Sequence, residues 1–190
     1  DAQESRGLGD VYKRQHEANA GLIAVSEVMR ALLDVRSSGI PVVVLIGGAN
    51  GCFGGMGIVA RCADQVVMSD IGRLAMSGPE VIEASHGVDE FDARDRALVW
   101  RTTGGKHRWL CGDCDALVAD DVEAFRGAAI AALDHSRPVS LEGLLQEHAL
   151  LRARLDTLDA LKAGSAIGPQ DEAMRLWQAL GVPDAWRVPD

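Results

Sequence analysis

The stretch that decides the fold runs from Ile40 to Ser69 and reads IPVVVLIGGANGCFGGMGIVARCADQVVMS. Its first part, Ile40–Ile46, is a continuous apolar run, which is typical of a strand covered on both faces in a parallel sheet. A glycine cluster follows, then a short helical run at Ile58–Cys62 and a second strand at Gln65–Ser69. The order strand, glycine loop, short helix, strand predicts an α/β fold.

A helix is predicted on the N-terminal side of this stretch, from Ala18 to Val35. Its apolar residues recur every three or four positions and define one buried face. They are Ala18, Leu22, Val25, Met29 and Leu32 or Leu33. Ser37, Ser38 and Gly39 end this helix.

Further elements are predicted downstream, with boundaries set by turn residues and caps. They are a short strand at Ile71–Met76, a helix from the Ser77-Gly78-Pro79-Glu80 turn to Ser85, a helix at Arg94–Arg101, a short strand at Ala116–Val118, and a helix that ends at Leu133. Asp120 and Glu123 form a capping-box-like start for the last helix.

After Arg137-Pro138 the composition shifts toward Leu, Ala, Arg and Glu. A long amphipathic helix is predicted over Ser140–Lys162, followed by a last helix over Pro169–Leu180. The apolar face of the long helix comprises Leu141, Leu144 or Leu145, His148, Leu151, Leu155 and Leu158. We therefore divide the chain into a core at 16–136 and a helical C-terminal extension at 137–190.

Residues 1–15, DAQESRGLGDVYKRQ, show neither helical nor strand periodicity. The stretch GLGDVYKRQ resembles a translated sequencing adaptor. We interpret residues 1–15 as a non-native tail, or else as a floppy but genuine N-terminal tail, and leave them out of the fold prediction.

Composition excludes several classes of function. The 190 residues carry 19 Lys and Arg against 28 Asp and Glu, a net charge of −9, so no basic face for nucleic acid is expected. The longest aliphatic run is far shorter than the ~20 residues of a membrane span. Four cysteines without a secretory leader predict reduced thiols in the cytoplasm.

The glycine cluster has six members within eleven residues, Gly47, Gly48, Gly51, Gly54, Gly55 and Gly57. Such a loop exposes backbone N–H groups at a helix start, where they stabilise an oxyanion, an enolate or a phosphate. The G-x-G-x-x-G and Walker spacings are absent, which argues against nucleotide binding. A purely structural role, in which the glycines let the helix pack close to the sheet, is the alternative.

The stretch from Val42 to Ala84 resembles the carboxyltransferase branch of the crotonase superfamily. The motifs HEANAGLIAVSEVM, GCFGGMGIVARCA, GRLAMSGPEVIEASHGVDEFDARDRALVWRTTGGKHR and LVADD are similar to those of the beta subunit of biotin-independent malonate decarboxylase. The resemblance covers His16 to about Leu155. It implies a crotonase-like ββα spiral that decarboxylates a malonyl thioester on an acyl-carrier subunit, beside a gamma subunit.

The resemblance also implies which residues act. The N–H groups of Gly54 and Gly55 would hold the thioester oxygen as the enolate forms, each such donor contributing ~3 to 4 kcal/mol. Phe53 would contact the substrate. The carrier's pantetheine-type arm would bring the malonyl group, and the chain itself would bind neither biotin nor metal.

Two further groups of residues are candidates from their chemistry. Glu80, Glu83 and His86 are spaced by three, so one helix face could carry an acid and a proton donor, although helix-start electrostatics explains Glu80 equally well. Gly104, Gly105, Lys106 and Arg108 form a second glycine turn with cationic groups. This turn suits the phosphates of the prosthetic arm or an acidic carrier, unless it is only a solvated basic loop.

Cys111 and Cys114 form a CxxC pair, which supplies only half of the ligands that a zinc site needs. A redox-active CxxC pair would also need an exposed helix start, and the residues here read as a turn. We interpret the pair as a loop turn before Ala116–Val118. His148 is interpreted as a core or interface histidine.

Two alternatives to a decarboxylase remain. One is the carboxyltransferase subunit of a biotin-dependent acyl-CoA carboxylase, and the other is a non-catalytic assembly subunit. In the resembled family a Gly-Gly-x-Arg-x-Gln-Glu segment precedes the helix that begins near Ala18, and it is not found here. We therefore expect an incomplete spiral, poorly covered apolar surface at Val42–Ile46, and a chain that is marginally stable and inactive alone.

Overall fold

A computed structural model describes residues 2–134, 140–162 and 169–185, with side chains placed at 16–134, 140–157 and 174–185. The elements follow the order α1 (Ala2–Ser37), β1 (Val43–Ile46), α2 (Gly55–Ala60), β2 (Gln65–Ser69), α3 (Pro79–His86), α4 (Arg96–Thr103), α5 (Gly105–Leu110), β3 (Ala116–Val118), α6 (Val122–Leu133), α7 (Leu141–Lys162) and α8 (Pro169–Ala179). The predicted α/β class is confirmed.

The three strands form one parallel sheet in the order β1-β2-β3. Val43 pairs with Gln65 at one end of the β1–β2 ladder, and Ser69 pairs with Val118 on the other side of β2. All five residues of β2 are buried, because helices cover both faces of the central strand.

The core has two layers, one on each face of the sheet. Since side chains alternate along a strand, Val66 and Met68 of β2 point to one face and Val67 to the other. The first layer also contains Ile46, Ala60, Ala63, Leu74, Cys114 and Leu117. The second layer contains Val118, Ala119 and Ala124, with Phe125 of α6 packed against it.

A buried ion pair fixes the C-terminal end of α1 to the sheet. Nε of Arg36 lies 3.0 Å from Oδ1 of Asp64, whose side chain is only 1% exposed. The other carboxylate oxygen of Asp64 accepts the Val42 N–H at 2.7 Å, and Nη1 of Arg36 donates to the carbonyl oxygen of Cys62 at 2.9 Å. One carboxylate therefore aligns the helix end, the start of β1 and the turn before β2.

The helix α1 is longer than predicted, because it begins at Ala2 and not at Ala18. Gln, Glu and Arg each occur twice in residues 2–17 and have good helix propensity, and a helix once formed can extend without an apolar face. The predicted buried face is only partly confirmed. Val25, Met29 and Leu32 are half-buried, whereas Leu22 is 69% exposed.

The predicted strand at Ile71–Met76 is wrong. This segment makes only isolated bridges, between Cys52 and Leu74 and between Arg73 and Gly104. Its neighbours are the glycine cluster and a junction of two helices, so it has no strand beside it with which to form a ladder.

The cap of α6 also differs from the prediction. Asp121, and not Asp120, is the N-cap, and its side chain accepts the Ala124 N–H at 2.8 Å. Glu123 instead pairs with Arg126 one turn along the helix.

The predicted apolar face of α7 is wrong for most of its members. Among the described side chains of α7, the partly buried ones are Glu147, Leu151, Arg154 and Thr157, while Leu141, Leu144, Leu145, His148 and Leu155 are exposed. His148 is therefore not a core residue of this chain. Leu158, the Arg137-Pro138 break and the boundary between residues 136 and 137 lie outside the described side chains or residues.

The strand β1 forms an edge of the sheet, and Leu45 on it is 47% exposed. Val44 and Ile46 pack on the first core layer and Val43 on the second. The expectation of burial on both faces and the expectation of poorly covered apolar surface at β1 are therefore each confirmed only in part. None of the described helices has the length and apolarity needed to cross a bilayer.

Candidate functional site

The glycine loop, residues 47–57, lies along a short extended stretch, Arg73–Met76, that we call the connecting segment. The Cys52 N–H donates to the carbonyl oxygen of Arg73 at 2.7 Å, and the Ala75 N–H donates to that of Cys52 at 3.2 Å. A third bond runs from the Gly54 N–H to the carbonyl oxygen of Met76 at 2.9 Å. The main chain of the connecting segment thus fixes the course of the loop into α2.

The third bond changes the prediction for the Gly54–Gly55 pair. The Gly54 N–H is already donated to Met76, so in this structure it is not a donor for a substrate oxygen. Among the described residues, no backbone hydrogen bond uses the Gly55 N–H, which lies in the first turn of α2, where helix N–H groups lack intrahelical acceptors. Gly55 stays a candidate donor.

Gly54 nevertheless faces open space. Its φ is +63°, a value that favours glycine, and a Cβ placed there would meet no heavy atom within 4 Å. Gly55 differs, because a Cβ there would lie 2.8 Å from Cγ2 of Val25 on α1. The start of α2 is therefore open at Gly54 and packed against α1 at Gly55.

A small apolar cleft lies beside the loop, between β1 and α2. Its volume is about 220 Å³. Its lining comes from the end of β1, from the glycine loop and from one face of α2, and includes Leu45, Gly51, Cys52, Met56 and Val59. Gly54 and Gly55 do not line it, so the cleft and the helix start are neighbouring and separate features.

The second predicted glycine turn is a helix start and not a basic loop. Gly104 caps α5, which begins at Gly105. Both glycines are buried, and a Cβ on Gly105 would lie 2.7 Å from Cδ2 of Leu117 and 3.1 Å from the carbonyl oxygen of Ser69. Gly105 allows close packing of α5 on the sheet, whereas a Cβ on Gly104 would lie 2.5 Å from the carbonyl oxygen of Trp100 at the end of α4.

The two cationic residues predicted for phosphate binding have partners within the chain. Nζ of Lys106 lies 3.6 Å from Oδ1 of Asp184 and 5.3 Å from the ring centroid of Trp177. Arg108 donates to the carbonyl oxygen of Thr102 and pairs with Asp113 at 3.0 Å. Arg108 is thus used within its own helix junction. Lys106 contacts a half-buried ring and an exposed carboxylate, and a phosphate could replace that carboxylate.

The three candidate acid–base residues lie on α3 but have different surroundings. Oε2 of Glu83 accepts the Ala93 N–H at 2.7 Å, which gives this carboxylate a structural role. Nδ1 of His86 lies 3.1 Å from the carbonyl oxygen of Ile82. Glu80 is exposed in the first turn of α3, a few residues after Met76, and is the member closest along the chain to the glycine loop.

The four cysteines are free thiols. Burial raises the pKa of Cys114 to about 12, and it also raises the pKa of Cys52 and Cys111. Sγ of Cys114 contacts the carbonyl oxygen of Ala116, whereas Cys111 is exposed, 3.6 Å from Nε2 of His107. The CxxC stretch turns before β3, as predicted.

Sequence reasoning missed Arg73. Its guanidinium donates to the carbonyl oxygen of Ala49 and lies over the Phe53 ring, with 5.7 Å between Cζ and the ring centroid. Arg73 also bridges to Gly104, so it contacts both predicted glycine sites. The only available signal was a cation inside a stretch otherwise interpreted as a strand, which does not distinguish this role from an edge residue.

Comparisons with known proteins agree with this architecture. No protein-family model matches the chain. The malonyl-S-ACP:biotin-protein carboxyltransferase MADC of Malonomonas rubra is 44% identical over 168 residues, which are 88% of this chain and 52% of that protein.

Two solved structures are similar as well. A chain of a Pseudomonas malonate decarboxylase hetero-tetramer, in complex with malonate, matches with a TM-score of 0.63 and 36% identity, over 86% of this chain and 55% of that one. A chain of the Pseudomonas MdcD–MdcE hetero-dimer matches with a TM-score of 0.55 and 34% identity, over 70% and 56%.

This chain spans about half the length of these relatives. Over that half the chain is similar to these relatives in both sequence and fold. The predicted crotonase-like class is confirmed. The chain is related, over about half of their length, to the carboxyltransferase-type subunits of malonate decarboxylase.

Proposed function

We propose that the chain is part of the beta subunit of a cytoplasmic malonate decarboxylase, which acts on a malonyl thioester held by an acyl-carrier subunit, beside a gamma subunit. The relatives support this proposal, since their names include a malonate decarboxylase and an enzyme of malonyl-S-ACP. The observation that carries it is the glycine loop, which opens at Gly54 directly before the first helical N–H of α2.

The chemistry requires stabilisation of an enolate. When the carbon–carbon bond to the carboxylate breaks, CO2 leaves and the bonding electrons move onto the thioester oxygen. Protonation at carbon then gives the acetyl thioester. A fixed N–H aimed at that oxygen stabilises the transition state more than the ground state, because the charge is larger there.

The residues of this chain have distinct roles in the proposal. The Gly55 N–H is the donor that this chain offers to the oxygen, and Gly54 leaves space for the thioester. The bonds from the connecting segment hold the donor in place. Glu80 and His86 are the proton-donor candidates on α3, because Glu83 is already bonded to the Ala93 N–H. Lys106 is the candidate contact for a phosphate of the prosthetic arm, which the carrier supplies.

The test compares two glycines that both have positive φ and open space around Cα. Gly54 and Gly39 both have positive φ, at +63° and +78°, and a Cβ on either meets nothing within 4 Å. In a full-length subunit assembled with its partners, Gly54→Ala is expected to lower kcat/KM for a malonyl thioester at least tenfold, because the methyl group occupies the substrate's approach. Gly39→Ala, in the remote turn before β1, is expected to leave it within twofold.

Equal activity of the two variants would overturn the catalytic role and favour the non-catalytic assembly subunit. Loss of assembly in Gly54→Ala, seen by gel filtration, would also contradict the proposal, because it would place Gly54 at a subunit contact and not at the substrate's approach. Gly55 is less suitable for this test, since any side chain there collides with Val25 and would disturb packing.

A second candidate function is transfer of the carboxyl group to a biotin protein. The specific observation in its favour is the name of the Malonomonas relative, a biotin-protein carboxyltransferase. Both reactions need the same enolate donor, so the loop does not separate them. Avidin inhibits only the biotin-dependent reaction, and inhibition of CO2 release by avidin in the assembled enzyme would favour this candidate over the first.

A further inference from the structure

Arg73 joins three parts of the candidate site. Its guanidinium reaches the glycine loop at Ala49 and Phe53, its carbonyl oxygen accepts the Cys52 N–H, and its main chain bridges to Gly104 at the start of α5. The next residue, Leu74, donates its N–H to the carbonyl oxygen of Thr103 at 2.8 Å. One short segment therefore ties the loop to the α4–α5 junction.

The side-chain contacts form a layered arrangement. The Phe53 ring lies so close to Gly51 that a Cβ there would be 2.5 Å from Cε2 of Phe53 and 3.3 Å from Cβ of Arg73. Gly51 also has φ of +76°, so both the backbone and the space require glycine. The Phe53 ring therefore lies next to Gly51 and under the guanidinium, and Phe53 directly precedes Gly54.

The guanidinium of Arg73 contacts a carbonyl oxygen and an aromatic ring, both neutral groups. Among the salt bridges found within the part of the chain that the structure describes, none includes Arg73, and the side chain is only half-buried. Cation–π contact with Phe53 and donation to a carbonyl oxygen are therefore what orient this guanidinium.

We propose that Arg73 is a positioning residue for the malonyl-thioester site, and that it acts by holding Phe53 and the residue 49 carbonyl so that the N–H at the start of α2 keeps its direction. This rests on the proposed function. Removal of the guanidinium frees the ring and the loop, so the oxyanion donor spends less time in the reactive geometry. Donor alignment matters most in the transition state, which predicts a loss in kcat larger than the change in KM.

The kinetic experiment uses the full-length subunit in its assembled complex. Arg73→Ala is expected to lower kcat for a malonyl thioester at least tenfold, with KM changed less than threefold. Arg73→Lys keeps a cation and a donor, so it is expected to recover at least a third of the activity. Arg126→Ala, which removes an exposed arginine on α6, is the matched control and is expected to keep wild-type values.

A second measurement does not depend on turnover. Hydrogen exchange of the amides from Gly48 to Met56 is expected to be at least tenfold faster in Arg73→Ala than in the wild type, and unchanged in Arg126→Ala. Unchanged exchange in Arg73→Ala, or a kcat loss that Arg73→Lys does not relieve, would overturn the proposal. An inactive wild-type complex with accelerated exchange in Arg73→Ala would reject the proposed function and keep the positioning of the loop by Arg73.

Discussion

Gly57 shows how a single missing side chain sets the site's geometry. A Cβ there would lie 2.5 Å from the carbonyl oxygen of Ala75, a backbone atom of the connecting segment that cannot move freely. Gly57→Ala is therefore expected to push α2 away from the connecting segment and to lower the free energy of unfolding by ~1 to 3 kcal/mol. Urea denaturation of the chain measures this.

Gly21→Ala is the matched control for Gly57→Ala. Gly21 lies within α1, and a Cβ there meets nothing within 4 Å. Alanine stabilises a helix interior relative to glycine by up to ~1 kcal/mol, so this substitution is expected to leave stability unchanged or raise it. Equal losses in both variants would contradict the packing explanation.

His107 gives the chain a predicted dependence on pH. Burial, followed by the positive charge of Arg108, lowers the pKa of His107 below that of an unfolded histidine. Between the two pKa values the unfolded chain binds more protons, so stability falls as the pH drops through ~6.5. The denaturation midpoint is expected to fall less steeply between pH 7 and pH 5 in His107→Gln. Identical slopes would show that His107 does not contribute.

At the level of elements, two adjacent aspartates before α6 have separate tasks. Asp121 caps the helix through the Ala124 N–H, whereas Oδ1 of Asp120 accepts the Gly48 N–H at 2.9 Å, across the sheet edge. Asp121→Ala is expected to cost ~1 kcal/mol of stability, the usual effect of a lost N-cap. Asp120→Ala is expected to loosen the glycine loop, with faster exchange of the Gly48 amide in hydrogen-exchange experiments.

The reverse result, with the cap loss at Asp120 and the loop effect at Asp121, would contradict this assignment. It would instead support the capping box that the sequence suggested.

The helix α7 is docked on α5 through one arginine. Nη1 of Arg154 donates to the carbonyl oxygens of Trp109 and Leu110, at 2.9 and 2.8 Å, and its guanidinium lies 4.3 Å from the centroid of the Trp109 ring. These contacts satisfy the C-terminal carbonyls of α5. Arg154→Gln is expected to lower stability by ~1 to 3 kcal/mol, as measured by thermal unfolding.

Arg152, two residues earlier on α7, is the control. Its side chain is mostly exposed and pairs only with Asp156 one turn away, at 3.8 Å. Arg152→Gln is expected to change stability by less than ~0.5 kcal/mol, which is typical of a surface pair. A similar loss in the two variants would mean that the contacts of Arg154 with α5 do not hold α7.

For the molecule as a whole, exposed apolar surface is the dominant feature. The side chains exposed to solvent include Leu45 on the edge strand β1, Leu22 and Ile23 on α1, and Leu141 and Leu145 on α7. We expect a free energy of unfolding at or below the ~5 kcal/mol that marks the low end for natural domains, and stabilisation by partner subunits. Urea titrations with and without the proposed gamma subunit measure the free energy of unfolding and the stabilisation by a partner.

The chain of 190 residues is also expected to be inactive on a malonyl thioester when it is mixed with a gamma subunit alone. The reasons are its coverage of about half the length of its relatives and the open edge of its sheet. Turnover near that of the assembled full-length enzyme, or high stability without any partner, would refute this expectation.

The sequence by itself determined the strands and helices that follow local pattern. The run at Gln65–Ser69, the Gly-Pro start of α3 and the strand at Ala116–Val118 were all predictable, because apolar runs and caps act over a few residues. The motifs around the glycine loop were specific enough to indicate the family.

Only the tertiary structure decided which groups at the site are free. The Gly54 N–H is bonded to the carbonyl oxygen of Met76, and the Arg108 guanidinium is bonded to that of Thr102. The Arg73 guanidinium is bonded to the carbonyl oxygen of Ala49 in the glycine loop. Each of these depends on a contact between segments about twenty residues apart or between helices. Periodicity and propensity describe neighbours along the chain, and they carry no information about which distant carbonyl a given N–H will meet.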